Sequence, residues 1–113
     1  MLMSPKEITK EEIQRIYETK TYLLNHLHKK FTIRQLARKA AIGEQRFKDG
    51  FAFLFGMAVG EYIHEARMQT AKLLLRNTKK SIKEISLLCG YRQARNFSSA
   101  HKMFFRIKPR EHR

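Results

Sequence analysis

Side chains capable of chemistry are common in this sequence, yet few are spaced for catalysis. His26 and His28 are two residues apart, so on a helix they point to different faces and make a poor metal pair. His64-Glu65 lacks the second histidine that a zinc-protease helix requires. Cys89 falls where a small buried residue belongs, and it reads as a structural thiol rather than a reactive one. No catalytic constellation and no phosphate-cradling glycine loop is present, so no catalytic residue, metal or cofactor is expected. The chain offers instead two short clusters of polar and cationic side chains: Gln45, Arg46, Lys48 and Asp49, then Arg95, Asn96, Ser98 and Ser99. The arginine fork suits guanine O6 and N7, the Gln and Asn amides suit adenine N6 and N7, and Asp can accept from cytosine N4. Asp49 has a second reading, as an intrahelical partner of Arg46 or Lys48. Arg92 and Lys102, at the cluster edges, and the helix starts at Thr32 and Ser81 suit phosphate instead.

Charge agrees with an anionic partner. The 113 residues carry 24 Lys+Arg against 10 Asp+Glu, a formal net charge of +14. Such an excess points to nucleic acid, an anionic membrane surface or acidic proteins. It rises along the chain, from net +2 over residues 1–30 to net +6 over residues 81–113. The single cysteine excludes an internal disulfide framework and fits a reducing compartment. No apolar run approaches the ~18 residues of a membrane span, and the first seven residues lack a signal-peptide h-region. A cytoplasmic protein without membrane contact is expected.

The elements that must position these clusters are helical. Both prolines, Pro5 and Pro109, lie near the ends, and apolar residues recur at spacings of three and four. Thr9-x-x-Glu12, Thr32-x-x-Gln35 and Ser81-x-x-Glu84 are capping boxes that start helices. The first helix is predicted to run to Lys29–Lys30, with Ile13, Ile16, Tyr17, Leu24 and Leu27 inward. A short helix carries Ile33, Leu36, Ala37 and Ala40. A helix over 44–55 has Phe47, Phe51 and Leu54 inward and stops at Gly56. A long helix over about 60–77 carries Tyr62, Ile63, Ala66, Leu73 and Leu74. Ile82, Ile85, Leu88 and Cys89 form the next. A final helix over 93–105 places Phe97, Ala100 and Phe104 inward, and Pro109 begins a last stub. The helical spacing of the phenylalanines marks them as core rather than base-stacking groups, with Phe53 partly outward.

The chain also repeats itself. Shifted by 49, Thr32, Ile33, Leu36, Ala37, Ala40 and Ile42 fall on Ser81, Ile82, Ile85, Ser86, Cys89 and Tyr91. Shifted by 50 beyond the turn, Phe47, Phe53, Leu54, Phe55 and Met57 fall on Phe97, Met103, Phe104, Phe105 and Ile107. Each copy is a capped short helix, a tight turn and a longer helix, which is the helix-turn-helix pattern. The fold expected is therefore all-α, with about seven helices. It comprises an N-terminal helix plus first helix-turn-helix over 1–57, a linker helix over 58–78, and a second helix-turn-helix over 79–113. A linker of roughly 18 residues spans about 27 Å, which suits reading helices in successive major grooves ~34 Å apart.

The second copy resembles the AraC/XylS family of bacterial transcription regulators. The residues that carry the resemblance are Ser81, Ile82, Ile85, Gly90, Tyr91, Phe97, Lys102, Phe105, Pro109 and Arg113, with Arg67, Ala71, Leu73, Leu74, Leu75 and Thr78 in the linker. His101 departs from a usual Phe, Arg106 from a usual Gly and His112 from a usual Tyr. In the first copy Gly43-Glu44 replaces Ser-Pro, and Gly50 replaces a large apolar residue, which should cost that helix up to ~1 kcal/mol. The resemblance implies sequence-specific binding of double-stranded DNA and transcription activation, and the covalent tandem of two reader units predicts that this segment binds as a monomer. RNA polymerase is implied as a further partner. No small-molecule ligand is expected in this segment, since the family places effector or dimerisation functions in a separate N-terminal domain. A non-specific nucleic-acid binder and a protein-interaction module are the competing classes.

Overall fold

The computed structural model describes residues 7–113, so Pro5 and most of the N-terminal stretch that lacks an h-region lie outside the described residues. Among the described residues there are six α-helices and no strand: α1 (Lys10–Leu24), α2 (Ile33–Lys39), α3 (Glu44–Phe55), α4 (Val59–Asn77), α5 (Ile82–Leu88) and α6 (Ala94–Phe105). A 3₁₀ stub at Pro109–His112 follows. The chain gathers into two compact units. The described residues up to His26 with Phe31–Ile63 form one, and Leu27–Lys30 with His64–Arg113 form the other.

In the first unit, α1 starts at the expected capping box: Thr9 Oγ1 accepts from the Glu12 N–H at 3.1 Å, and Glu12 Oε1 accepts from the Thr9 N–H at 3.0 Å. Its buried residues are Ile16, Thr19 and Leu23. With Leu36 and Ala37 of α2 and Phe47 and Phe51 of α3 they supply the buried interior. The helix ends at Leu24, earlier than Lys29–Lys30. The Asn25 N–H turns back to the Thr21 and Tyr22 carbonyls and the His26 N–H to the Leu23 carbonyl, tightening the last turn. The carbonyls of Leu27 and Lys29 accept from Arg67 instead of from a continuing helix. Leu24 is consequently exposed, and Tyr17, also expected inward, is exposed while its ring stands edge-on to Phe55 at 5.1 Å.

In the second unit Met68, Ala71 and Leu75 of α4, Ile85 and Cys89 of α5 and Phe97 of α6 form one core cluster. A fully buried side chain of this size contributes roughly 1.5–3 kcal/mol. Leu73 and Leu88, expected inward, are 60% and 46% exposed. Successive helix residues are turned by about 100°, so Leu73, Leu74 and Leu75 cannot all face one core, and Leu75 takes the buried position. Phe104 is 37% exposed and packs by ring edge on Phe105 and His64.

The two turns that orient the longer helices are built alike. After α2, the Ile42 N–H bonds the Ala37 carbonyl and the Ala41 N–H the Arg38 carbonyl. After α5, Tyr91 bonds Ser86 and Gly90 bonds Leu87. Both are Schellman closures, which require a left-handed residue. That residue is Ala41 (φ 56°) in the first copy and Gly90 (φ 87°) in the second. At the far ends of α3 and α6 the left-handed residue is Gly56 (φ 74°) and Arg106 (φ 66°) respectively. The copies share a backbone but place their glycines at opposite ends of it.

Candidate nucleic-acid interface

The longer helix of each copy buries its first phenylalanine, Phe47 or Phe97, and so turns a fixed stripe outward. In α6 that stripe is Arg95, Ser98, Ser99 and Lys102, spaced three and four apart. Arg95, Ser99 and Lys102 are exposed, and Ser98 is half-buried. In α3 the equivalent positions are Gln45, Lys48, Asp49 and Ala52; Gln45 and Lys48 are exposed, and Asp49 and Ala52 are half-buried. Gln45 Nε2 donates to Asp49 Oδ1 at 2.9 Å, so Asp49's partner is Gln45 rather than Arg46 or Lys48.

Arg46 stands off the stripe. Its Nε and Nη2 donate to the two Glu12 carboxylate oxygens at 2.5 and 2.9 Å, and Nη2 also donates to the Glu7 carbonyl. The guanidinium thus ties the start of α1 to the start of α3. Hydrogen bonds from Arg46 are the largest cause holding the Glu12 carboxyl down at about 2, with the Thr9 backbone N–H adding to it. Asn96, its counterpart in α6, is exposed. Arg95 donates only to Gln93 Oε1 at 3.4 Å among the described bonds, and Arg92 is exposed.

The helix starts are more committed than the sequence suggests. Thr32 Oγ1 accepts from the Gln35 N–H, and the Thr32 N–H donates to Gln35 Oε1. Ser81 goes further, since its hydroxyl both accepts from the Glu84 N–H and donates to Glu84 Oε1. What the Ser81 start offers an anion is its local amide field, since its hydroxyl proton is already donated to Glu84.

The partners of Arg67, His101 and Arg113 escaped sequence reasoning. Arg67 donates to the Leu27 carbonyl at 3.2 Å and the Lys29 carbonyl at 2.7 Å, and its guanidinium lies against Gly90. A Cβ at Gly90 would come 2.6 Å from the Leu27 carbonyl oxygen, so glycine is needed there for space as well as for φ. His101 is fully buried, with Nδ1 2.9 Å from the Ile107 carbonyl and Nε2 2.9 Å from His112 Nδ1. The first contact fixes a proton on His101 Nδ1, which leaves Nε2 to accept from His112. Burial depresses both imidazole pKa values. The signal was present, because His101 and His112 both depart from the family's usual residues, but nothing in the spacing links them. Arg113 then donates to the Thr78 and Lys80 carbonyls, seating the chain's last turn. Cys89 sits in the core, where burial pushes its thiol up to about 11 and keeps it neutral.

A family model described as a helix-turn-helix domain matches residues 36–113. A solved transcriptional regulator from Chromobacterium violaceum, described as an AraC-type DNA-binding domain-containing protein, superimposes with a TM-score of 0.78 at 27% identity, covering 88% of this chain and 89% of that one. The chain belongs to the AraC-type helix-turn-helix family. The DNA-binding domain of AdpA, a global transcriptional factor solved in complex with a target DNA, matches at TM-score 0.78 and 25% identity, over 84% of this chain and 86% of that one. The transcriptional activator Btr of Bacillus subtilis is 32% identical over 83 residues, which are 74% of this chain and 16% of Btr. The chain spans between 16% and 36% of the length of the curated relatives it resembles. Family and fold are those of DNA-binding transcription regulators rather than enzymes. Among the described residues, no helix is long and apolar enough to cross a membrane.

Proposed function

We propose that this chain binds one contiguous, non-palindromic site on double-stranded DNA as a monomer, and that it thereby regulates transcription, by activation. The observation that carries this reading is the doubled unit: two capped helices, two identical Schellman turns and two longer helices with matching outward stripes. A covalent pair of readers makes dimer symmetry unnecessary, and α3 and α6 each enter one of two successive major grooves. In α6, Arg95 and Asn96 meet base edges, with Ser98 and Ser99 following on the helix. In α3, Gln45 and Lys48 read, with Asp49 orienting the Gln45 amide. Arg46 holds α1 against α3 in place of reading a base. Arg92 and Lys102 contact phosphate, and the capped starts at Thr32 and Ser81 favour it through their amides. Activation is supported by the likeness to Btr, and RNA polymerase is the second partner in that role. A cytoplasmic location follows from it.

Selection of bound sites from a randomised DNA pool, followed by competition with random DNA at fixed salt, tests the reading. The expected result is enrichment of a single asymmetric site of about two helical turns. Enrichment of short palindromes alone, or equal binding to every sequence, refutes it.

A further inference from the structure

Beside the outward stripe of α6 lies a cleft of about 330 Å³, lined by Ile82, Ser98, Ser99 and Lys102 and by Lys108, Pro109 and Arg110 at the start of the C-terminal stub. We propose that this cleft is a notch for one phosphodiester of the DNA backbone, so that the stub is part of the DNA interface. The inference rests on the DNA reading above, and it moves Ser98 and Ser99 from base edges to the backbone.

The charged groups of the lining are those of an anion site. Three cationic and two hydroxyl side chains line the cleft together with the apolar Ile82 and Pro109, and no carboxylate does. The nearest acids on the flanking elements are engaged locally: Glu84 with the Ser81 N–H and hydroxyl, Glu111 with the Lys108 N–H at 3.0 Å. Charge-assisted hydrogen bonds to phosphate are about twice as strong as neutral ones. The segment that carries Lys108 and Arg110 is also held in place rather than left as a loose tail. Pro109 is buried, the Ile107 carbonyl is bonded to His101, His112 is bonded to the same imidazole, and Arg113 is bonded to the Thr78 and Lys80 carbonyls. A backbone ordered before binding loses less freedom on contact.

Position favours a DNA phosphate over a free anion. Lys102 lies seven residues beyond Arg95, about 10 Å along the helix axis. That is close to the ~12 Å width of a major groove. A helix that sets Arg95 on base edges therefore brings the cleft to the phosphate wall of the same groove.

The test uses the whole chain and its selected DNA site. The double variant Lys108→Ala/Arg110→Ala is compared with wild type over a salt series. One lost phosphate contact flattens the log affinity–log salt slope by about 0.9, so between 50 and 200 mM salt the variant loses about 3.5-fold less affinity than wild type. The selected sequence stays the same. The charge-retaining Lys108→Arg/Arg110→Lys pair restores the slope, and a melting temperature of the double variant no lower than that of wild type confirms folding. Among the positions at which a single neutral methylphosphonate weakens wild type, one weakens the double variant less than wild type. An unchanged slope, a changed selected sequence, or no position at which the two proteins differ overturns the notch while leaving DNA reading intact. Wild type without sequence preference overturns the DNA reading itself. Saturation of the cleft by inorganic phosphate with no change in slope identifies a small-anion site and also overturns the proposal.

Discussion

The exchanged glycines allow one part of the fold to be tested by arithmetic. Arg106 closes α6 at φ 66°, in the region where its counterpart Gly56 sits at φ 74°. An L-residue held left-handed costs roughly 1–2 kcal/mol, whereas glycine there returns about 0.5–1 kcal/mol through the entropy of the unfolded chain. Arg106→Gly should therefore stabilise by about 0.5–1 kcal/mol, a rise of roughly 2–6 °C in melting temperature. Ala41→Gly should act in the same direction for the same reason, at φ 56°. The reverse change, Gly90→Ala, combines left-handed strain with a Cβ 2.6 Å from the Leu27 carbonyl oxygen, and should cost about 3 kcal/mol or more. Thermal unfolding followed by circular dichroism reads all three. The necessary control is Arg106→Ala, because at net +14 the loss of any cation relieves repulsion. If Arg106→Ala stabilises as much as Arg106→Gly, charge is responsible and the backbone argument is wrong.

Three further outcomes follow from the site. Arg95→Ala should relax preference at one or two adjacent base pairs by ~1–3 kcal/mol and leave folding intact; equal weakening on every sequence in a site-selection profile would assign Arg95 to phosphate. Glu12→Gln should lower the melting temperature at pH 7. Because the Glu12 pKa is depressed to about 2 in the folded chain, the stability it confers is present above its ordinary value near 4.5 and is lost between there and about 2. The gap between wild type and variant should close over that range, and a constant gap in acid unfolding curves would contradict the ion pair. His101 and His112 have folded pKa values below the ordinary 6.5, so the unfolded chain binds more protons and stability should fall as pH drops through 6.5. His112→Tyr, which keeps a donor for His101 Nε2, should reduce that slope, and urea midpoints between pH 7.5 and 5.5 decide it.

What was legible in the sequence was what a single helix face or a local motif encodes. The three capping boxes start α1, α2 and α5 as read, because the partners lie three residues apart. The limits of α3 and the repeat offsets of 49 and 50 also followed, since glycine, phenylalanine and their spacing act within one or two turns. The long-range partners did not follow. Arg46 meets Glu12 across 34 residues, Arg67 meets the Leu27 carbonyl across 40, and Arg113 meets Lys80 across 33. In each case a cationic side chain that reads as solvated, or as free to reach DNA, is claimed by an acid or carbonyl from another segment. The end of α1 failed for the same reason: Leu24 and Leu27 keep the helical spacing, but the carbonyls of Leu27 and Lys29 are taken by Arg67. The reading stripe is affected in turn. Arg46 and Arg95 looked equivalent as exposed arginines early in their helices, yet Phe47 and Phe97 fix the helix rotation so that Arg95 lies on the outward stripe and Arg46 one step off it, facing Glu12. On the proposed DNA reading, Gln45 and Lys48 are then the readers left to the first copy, while the second copy retains an arginine fork, and the site-selection profile of Arg95→Ala tests whether the stronger base discrimination comes from α6.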